Sequence, residues 1–421
     1  MGIRTKYRFM VKRPNLHGSR LYRDISSMEP KAVGPVVPLT WKKAVDFSVY
    51  DDKGNKYIDL TSGIFVANAG HSNPHIKRAL KKQIDSDQMF SYNYPTRIKQ
   101  QFLRKLLAIS PAYFDRVDLL MTGSEAVDVA YKLMKLWASK HKRRYIITFK
   151  GSYHGRGLSN DQICGSPTKA DWSGVKDKDV KFLEFPYEAT EKFDPSRLPP
   201  PDQIAAFMLE TFQGWGAWFY PPGYINKLYA FAKKADALVC FDEMQSGFYR
   251  LGPVYGYMTY GREIQPDIIC VGKGISSSLP VAAVITRKEI AEMDPSADLH
   301  GTHSGNPLCC AAALANLEFL SSPAQLAKMK AASKVFEAEI SALAGLPGVK
   351  RINARGMIAA LIFDSADRAT AVVNECIRNG VLPVCTRKNS VKLAPPLTMP
   401  PQVIREAAGV LRDAVVKCEG T

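Results

Sequence analysis

Three junctions where an apolar run gives way to a turn carry side chains that could do chemistry. VDLLM at 117–121 ends in Thr122-Gly123-Ser124-Glu125, ALVCFD at 237–242 ends on Asp242, and DIICVG at 267–272 runs straight into Lys273. A helix N-terminus offers free amides, and a Gly there lets a ligand approach the backbone, so Thr122 to Ser124 read as a phosphate cradle. It is no P-loop, because the Gly-Lys-Ser/Thr ending is absent. Each feature alone has a plain structural reading: a capping Gly-Ser, a turn-forming Asp, a solvated Lys. Together, a phosphate anchor, a carboxylate and an amine on neighbouring strand ends match what pyridoxal 5'-phosphate requires. Its aldehyde needs an amine for a Schiff base, and its ring nitrogen needs a carboxylate to stay protonated. Lys273 and Asp242 are the candidates.

The elements that must position them repeat along the chain. Short apolar runs recur between helical stretches at 117–121, 144–149, 180–185, 205–210, 237–242, 267–272 and 280–285. Their hydrophobicity is continuous rather than alternating, which suits strands buried on both faces, joined by right-handed helical crossovers into a mainly parallel sheet. In such sheets ligands gather at the carboxyl ends of strands. Residues 45–60 read as a hairpin around a D-D-K-G turn, Asn73-Pro74 opens a helix to about Gln88, and Pro95 starts another toward Ile109. The Pro-rich stretch 194–203 is a surface connection. After about Ser322 the chain turns to Ala-rich helices with strand candidates at 358–363 and 391–396, the start of a second, smaller α/β domain.

With 421 residues, 46% hydrophobic and 23% charged, the composition is that of a globular protein, and no apolar run reaches the ~20 residues a spanning helix needs. The opening MGIRTKYRFMVKRP lacks the apolar core of a secretory signal. The eight cysteines are scattered without a C-x-x-C pair, which suggests neither zinc nor disulfides and fits a reducing compartment, so a soluble cytoplasmic enzyme is expected. The net charge is +17, and seven cations (Arg4, Lys6, Arg8, Lys12, Arg13, Arg20, Arg23) crowd the first 23 residues. No nucleic-acid motif accompanies them, so a solvated basic arm is the favoured reading. His71 and His75 are separated by Asn73-Pro74, and His300 and His303 lie in a G-T-H-S-G loop, so no metal site is expected.

Six segments then carry a resemblance: MTGSEAVDVAYKLMK (121–135), GSYHGRGL (151–158), ETFQGWGAWFYPPGY (210–224), CFDEMQSGFYRLGPVYG (240–256), PDIICVGKGISSSLPVAAVI (266–285) and GTHSGNPLCCAAALANLEFL (301–320). In this order they resemble the successive signatures of class III pyridoxal-phosphate aminotransferases, with SGIFVANAGHSNPHI (62–76) and LAPPL (393–397) extending the likeness from about residue 30 to about 412. The family implies a fold-type-I architecture. Here that would mean an N-terminal arm and hairpin at 1–60 packed with a small C-terminal domain at 321–421, and a large cofactor-binding domain at 61–320. Carried over by motif, Gly123 and Ser124 should bind the phosphate through their amides and Tyr153 should stack on the pyridine ring. Glu210 and Gln213, from E-x-x-Q-G, should organise the pocket. Asp242 should pair with the ring nitrogen, Gln245 should touch the ring hydroxyl, and Lys273 should hold the cofactor covalently. Thr302 resembles the residue that reaches the phosphate of the other subunit's cofactor, which implies an obligate homodimer with shared sites.

Substrate positions depart from the pattern. Relatives resembling ornithine aminotransferase have a gating Glu one residue after E-x-x-Q-G, where this chain has Trp215, and an Arg before the A-P-P segment, where it has Lys392. A Lys lacks the planar fork that grips a carboxylate. Arg156, and less directly Arg387 and Arg355, remain as candidates for a donor carboxylate. Trp215 is either a wall for a sugar or aromatic ring or a packing residue of an aromatic loop. The expected reaction is ping-pong transfer from an L-amino acid such as glutamate or alanine to an aldehyde or ketone, with a bulky oxo-sugar as one acceptor class and an ordinary ornithine pocket disfavoured. An aminomutase, racemase or decarboxylase on the same anchors is the alternative reading.

Overall fold

The computed structural model describes residues 19–30, 37–165, 173–187, 193–221 and 223–419. Five of the seven terminal cations, at positions 4 to 13, lie outside them. The chain divides into two compact units: the described residues of Met1–Asn73, Trp215–Ala217 and Pro323–Thr421, and those of Pro74–Gly214 and Trp218–Ser322.

In the larger unit the seven apolar runs become one sheet. In chain order its strands are β1 (Arg116–Leu120), β2 (Tyr145–Phe149), β3 (Val180–Leu183), β4 (Ile204–Glu210), β5 (Leu238–Asp242), β6 (Ile268–Val271) and β7 (Ala282–Thr286). Their spatial order is β1-β7-β6-β5-β4-β2-β3. The pairs β6/β5, β5/β4, β4/β2 and β2/β3 are parallel, whereas β7 runs antiparallel to both neighbours. Every residue of β4, β5, β6 and β7 is buried, which is why these runs read as continuously apolar. The reversal at β7 follows from chain length. Residues 272–281 are too few for the helical crossover that a parallel return requires.

The helix Gly123–Lys140 lays Ala126, Val127, Ala130, Leu133 and Met134 into one core with Met208, Cys240, Ile268, Cys270 and Val284 of the sheet. Its start is fixed by a capping box. The Thr122 hydroxyl accepts from the Glu125 amide at 3.2 Å while Glu125 Oε2 accepts from the Thr122 amide at 2.8 Å, an arrangement worth about 1 kcal/mol per cap bond. Two sequence-based boundaries need correction. The helix opened by Pro74 ends at Ile84, before Asp87 adopts φ 56°. The helix expected from Pro95 spans Arg97–Ile109, because Thr96 rather than Pro95 caps it, its hydroxyl accepting from the Lys99 amide at 3.2 Å.

In the smaller unit the expected hairpin is Ser48–Asp51 against Lys56–Asp59. Asp51 builds the turn, its Oδ1 accepting from the amides of Lys53 and Asn55 and its Oδ2 from Asn55 Nδ2 and Tyr57 Oη. Trp41–Val45 and Val381–Leu382 complete that sheet, the latter parallel to Lys56–Asp59. A second, antiparallel sheet holds Val349–Arg355, Ile358–Phe363, Ser390–Leu393 and Val384–Cys385, accompanied by helices Pro323–Ser341, Ala366–Arg378 and Pro401–Lys417. The strand expected over 391–396 stops at Leu393, since Pro395 and Pro396 have no N–H for a ladder.

Candidate active site

The larger unit holds a cavity of about 200 Å³ lined by Thr122, Gly123, Ser124, Val127, Tyr153, His154, Gly155, Arg156, Glu210, Asp242, Met244, Gln245 and Lys273. The carboxyl ends of β1, β2, β4, β5 and β6 supply them. The sheet therefore gathers Lys273, Asp242, Gly123, Ser124, Tyr153, Gln245, Glu210 and Arg156 around one space. Thr302, Trp215 and Lys392 are not among its lining residues.

Lys273 stands just past β6, after Gly272, and has φ 43°, a left-handed backbone that is strained for a residue with a side chain. The turn is pinned from outside. Asn316, fully buried on the helix Pro307–Leu320, donates from Nδ2 to the carbonyls of Gly274 and Ile275, both at 2.8 Å, and its Oδ1 accepts from the Ser277 hydroxyl at 2.7 Å. Burial pulls the Lys273 ammonium below the ordinary lysine range, and the anions of Asp242 and Glu210 draw it part of the way back. The result is an amine biased toward its neutral, nucleophilic form.

Asp242 is buried, with Oδ1 accepting from the Met244 amide at 3.0 Å and Oδ2 lying 2.8 Å from His154 Nδ1. Glu210 Oε2 accepts from the Tyr153 amide at 3.1 Å. The Tyr153 hydroxyl accepts from Arg156 Nε at 2.8 Å, while the Arg156 amide donates to the Ser124 hydroxyl at 3.2 Å, so the 151–156 turn is tied to the start of the helix Gly123–Lys140. Arg156 itself is exposed, its guanidinium held still further toward the charged form by the Tyr153 bond. Gly214 allows Gln245 its position, since a Cβ there would stand 2.2 Å from Gln245 Nε2. Gln213 turns elsewhere, donating to the Lys150 carbonyl and accepting from the Tyr187 hydroxyl.

The residues fit a phosphorylated pyridine aldehyde. The capping box takes up the amides of Thr122 and Glu125 and leaves those of Gly123 and Ser124, at the first two helical positions, to face a ligand. Gly123 is hemmed by Met244, whose Sδ would lie 2.8 Å from a Cβ, so the close approach needs glycine. An amine, a buried carboxylate and two helix-terminal amides are the three contacts such a molecule needs.

The remaining candidates lie apart. Thr302 sits on an exposed loop beside His303, which is 5.2 Å from the ring of exposed Phe90. In the smaller unit Lys392 is buried with its Nζ 4.6 Å over the Phe65 ring, and half-buried Trp215 carries the ammonium of Lys388 at 4.6 Å above its own ring. Arg387 is exposed in a turn with φ 56°, and Arg355 ends its strand half-buried. His71 pairs with Asp59 at 2.7 Å. Among the described residues no helix is long and apolar enough to cross a membrane. Sequence reasoning assigned no role to His154, Met244 or Asn316. His154 stands inside a quoted motif, but nothing in its neighbours shows that its ring meets Asp242, 88 positions away.

The profile of the aminotransferase class-III family matches residues 30–415. Acetylornithine aminotransferase of Bacillus subtilis (strain 168) is 32% identical over 376 residues, covering 89% of this chain and 94% of that protein. The 2-aminoadipate transaminase of Pseudomonas putida is 28% identical over 415 residues, covering 92% and 98%. The crystal structure of ornithine aminotransferase from Toxoplasma gondii ME49 superimposes with a TM-score of 0.85 at 24% identity, covering 94% of this chain and 96% of that one, which establishes the fold-type-I architecture. The chain is thus a member of the class-III aminotransferases, enzymes that depend on pyridoxal 5'-phosphate.

Proposed function

We propose that the protein moves an amino group from an L-amino acid, glutamate or alanine, to an aldehyde or ketone acceptor in two half-reactions at the cavity around Lys273. The observation that carries this reading is the Lys273 amine placed with two carboxylates and a helix N-terminus around one cavity. Pyridoxal 5'-phosphate, when bound, supplies an exchangeable carbonyl and an electron-accepting ring. The chain does the rest. Lys273 Nζ would hold the cofactor, and as a neutral amine it can take a proton from the donor's carbon and, as the resulting ammonium, give it back, which a group already cationic could not begin. Asp242 would balance the positive ring nitrogen, the Gly123 and Ser124 amides would anchor the phosphate, Tyr153 would cover the ring and Gln245 would reach the ring hydroxyl. Glu210 fixes the Tyr153 turn through its amide. Arg156, exposed at the cavity, is the cation for a donor carboxylate.

The acceptor class follows from the two positions where the sequence departs from relatives resembling ornithine aminotransferase, Trp215 in place of a gating Glu and Lys392 in place of an Arg. A Lys lacks the planar fork that grips a carboxylate and a Trp cannot form the gate's ion pair, so an ordinary ornithine pocket is disfavoured. A bulky acceptor such as an oxo-sugar, or the acetylated compound in the name of the Bacillus subtilis relative, is favoured instead. The functional unit is a homodimer, supported by the exposed Met89, Phe90, Tyr92 and Tyr94 near the Thr302 loop. A reducing, cytoplasmic setting fits eight free cysteines, of which only Cys385 is not buried.

The test is a half-reaction assay on the yellow holoenzyme. With glutamate or alanine alone it should accumulate pyridoxamine phosphate and release the keto acid, and borohydride should fix the cofactor to the Lys273 peptide. Isomerised or decarboxylated product without keto acid would establish the aminomutase, racemase or decarboxylase alternative. In a panel of amines run in reverse, N-acetylornithine and amino sugars should exceed free ornithine by about tenfold, equivalent to about 1.4 kcal/mol. Ornithine as the best amine would overturn the acceptor reading.

A further inference from the structure

The residue that carries the amine stands on a backbone that a side chain disfavours. Lys273 has φ 43° and Ser277, four positions on, has φ 55°, so the short connection between β6 and β7 holds two left-handed residues that are not glycine. Such conformations persist only where the surroundings over-determine them. The connection's own bonds are few. The Ile275 amide donates to the Gly272 carbonyl at 3.1 Å and the Ser278 amide to the Ser276 hydroxyl at 3.2 Å, and neither involves the carbonyls of Gly274 and Ile275.

Those two carbonyls are met from another element. Asn316 is fully buried on the helix Pro307–Leu320, among Ala312, Ala313, Ala315 and Leu317. A helix interior disfavours Asn, and a buried amide is costly unless its hydrogen bonds are made. Here they are made to the connection: Nδ2 donates to the Gly274 and Ile275 carbonyls, both at 2.8 Å, and Oδ1 accepts from the Ser277 hydroxyl at 2.7 Å. The pairing fixes which way the amide faces, because only its nitrogen can donate to a carbonyl. All three contacts fall within four residues past Lys273.

We propose that Asn316 is a positioning residue for Lys273. By holding the peptide planes just beyond that residue, it keeps Lys273 left-handed and so sets where Nζ stands among the residues that line the cavity. A long side chain magnifies any change of φ at its root. The Lys273 amine has to meet the cofactor's carbonyl and afterwards the donor's proton, and a misplacement of about 1 Å at such a group can cost ~10²-fold in rate. The inference rests on the reading of Lys273 as the residue that holds the cofactor.

The experiment compares Asn316→Leu, Asn316→Ser and a packing control on the same helix, Leu317→Ala, with the wild type. In the cofactor-free proteins, hydrogen exchange over residues 273–278 and the rate of pyridoxal 5'-phosphate capture are read beside Tm. In the holoenzymes, kcat and KM are read with glutamate or alanine, carrying hydrogen or deuterium on the reacting carbon. Asn316→Leu should speed exchange in that segment about tenfold and slow capture about tenfold. It should also lower kcat at least tenfold with KM little changed, and enlarge the isotope effect as the proton step becomes the slow one. Asn316→Ser, too short to span both carbonyls, should move every readout the same way, and it decides the matter if the Leu variant does not fold. Leu317→Ala should lose Tm while keeping wild-type capture and isotope effect. Wild-type exchange and capture in the Asn316 variants, or the same losses in Leu317→Ala at equal Tm, reduces Asn316 to packing and overturns the proposal. If borohydride fixes the cofactor of the wild-type protein to a peptide other than that of Lys273, the reading of Lys273 fails and this inference with it. If it fixes the cofactor to Lys273 while the Asn316 variants behave as wild type, only the role of Asn316 falls.

Discussion

Asp242 and Glu210 are register partners on the adjacent parallel strands β5 and β4, so two carboxylates stand side by side at one end of the sheet. Their environments separate them. Asp242 is gripped by a ring nitrogen and an amide, whereas Glu210 accepts the Tyr153 amide, and both act on Lys273 through space.

That pair sets the pH dependence of the Lys273 amine. Only the neutral amine attacks a carbonyl, and burial lowers its pKa below the ordinary value of 10.5 while the two anions raise it. The rate at which cofactor-free protein captures pyridoxal 5'-phosphate should therefore climb with pH to a midpoint under 10.5. Glu210→Gln removes one upward influence, so the midpoint moves to still lower pH in stopped-flow absorbance. A midpoint that stayed put or rose would contradict the electrostatic role of Glu210.

Lys273→Ala should reduce the rate of the first half-reaction at least ~10³-fold, within the range of a lost acid–base group and more if the nucleophile role adds to it. Single-turnover measurements with glutamate in excess read this directly. Turnover within a factor of ten of the wild type would remove Lys273 from the chemistry.

Met244 fills the space between two glycines. A Cβ at Gly123 would lie 2.8 Å from its Sδ and one at Gly272 only 2.6 Å. Gly123→Ala and Gly272→Ala should each lower stability by about 1–2 kcal/mol and weaken cofactor binding. Adding Met244→Ala should return part of both losses, giving a non-additive cycle in denaturant melts. Strict additivity would mean that the glycines serve some other purpose.

Asp118 on β1 has a buried Oδ2 without a hydrogen-bond partner among the described residues, and burial pushes its carboxyl up to about 6 from 3.8. A folded-state pKa above the unfolded one means stability present below pH 4 and lost as pH rises through about 6. Asp118→Asn should therefore match the wild type near pH 4 and exceed it by about 1–3 kcal/mol at pH 7.5. Melting curves across that range check the sign.

Chains carrying Thr302→Ala, mixed with chains carrying Lys273→Ala, test the shared site. If Thr302 serves the other subunit, a mixed dimer has one site with both residues intact. Activity after mixing and reannealing should exceed the sum of the two separate variants. Simple additivity, or a monomer by light scattering, would refute the homodimer reading.

The parts of the site that sequence reveals are those fixed by chemistry at strand ends. Lys273 after an apolar run, Asp242 closing another and Thr122-Gly123-Ser124 before a helix are visible because local sequence places them. His154 and Asn316 are not, because each bonds a residue more than 40 positions away and nothing in their own neighbours points to that partner. The direction of β7 was open for a different reason. A strand buried on both faces carries the same residue pattern whichever way it runs, and only the short 272–281 connection distinguishes the two. In the smaller unit, Val349–Arg355 is hidden in the sequence because Lys350, Arg351, Asn353 and Arg355 dilute its apolar signal.

The parallel pairing of Ile58 with Val381 bears on how the chain is made. A ribosome releases the N-terminal hairpin long before residue 381 exists, so Lys56–Asp59 emerges with one edge unpaired and stays so while the whole larger unit is synthesised. The edge strand Arg116–Leu120 waits in the same way for its neighbour Ala282–Thr286. Nascent chains stalled before residue 282 would therefore present open strand edges to chaperones, and those released after Ser322 would close one sheet while leaving the other incomplete.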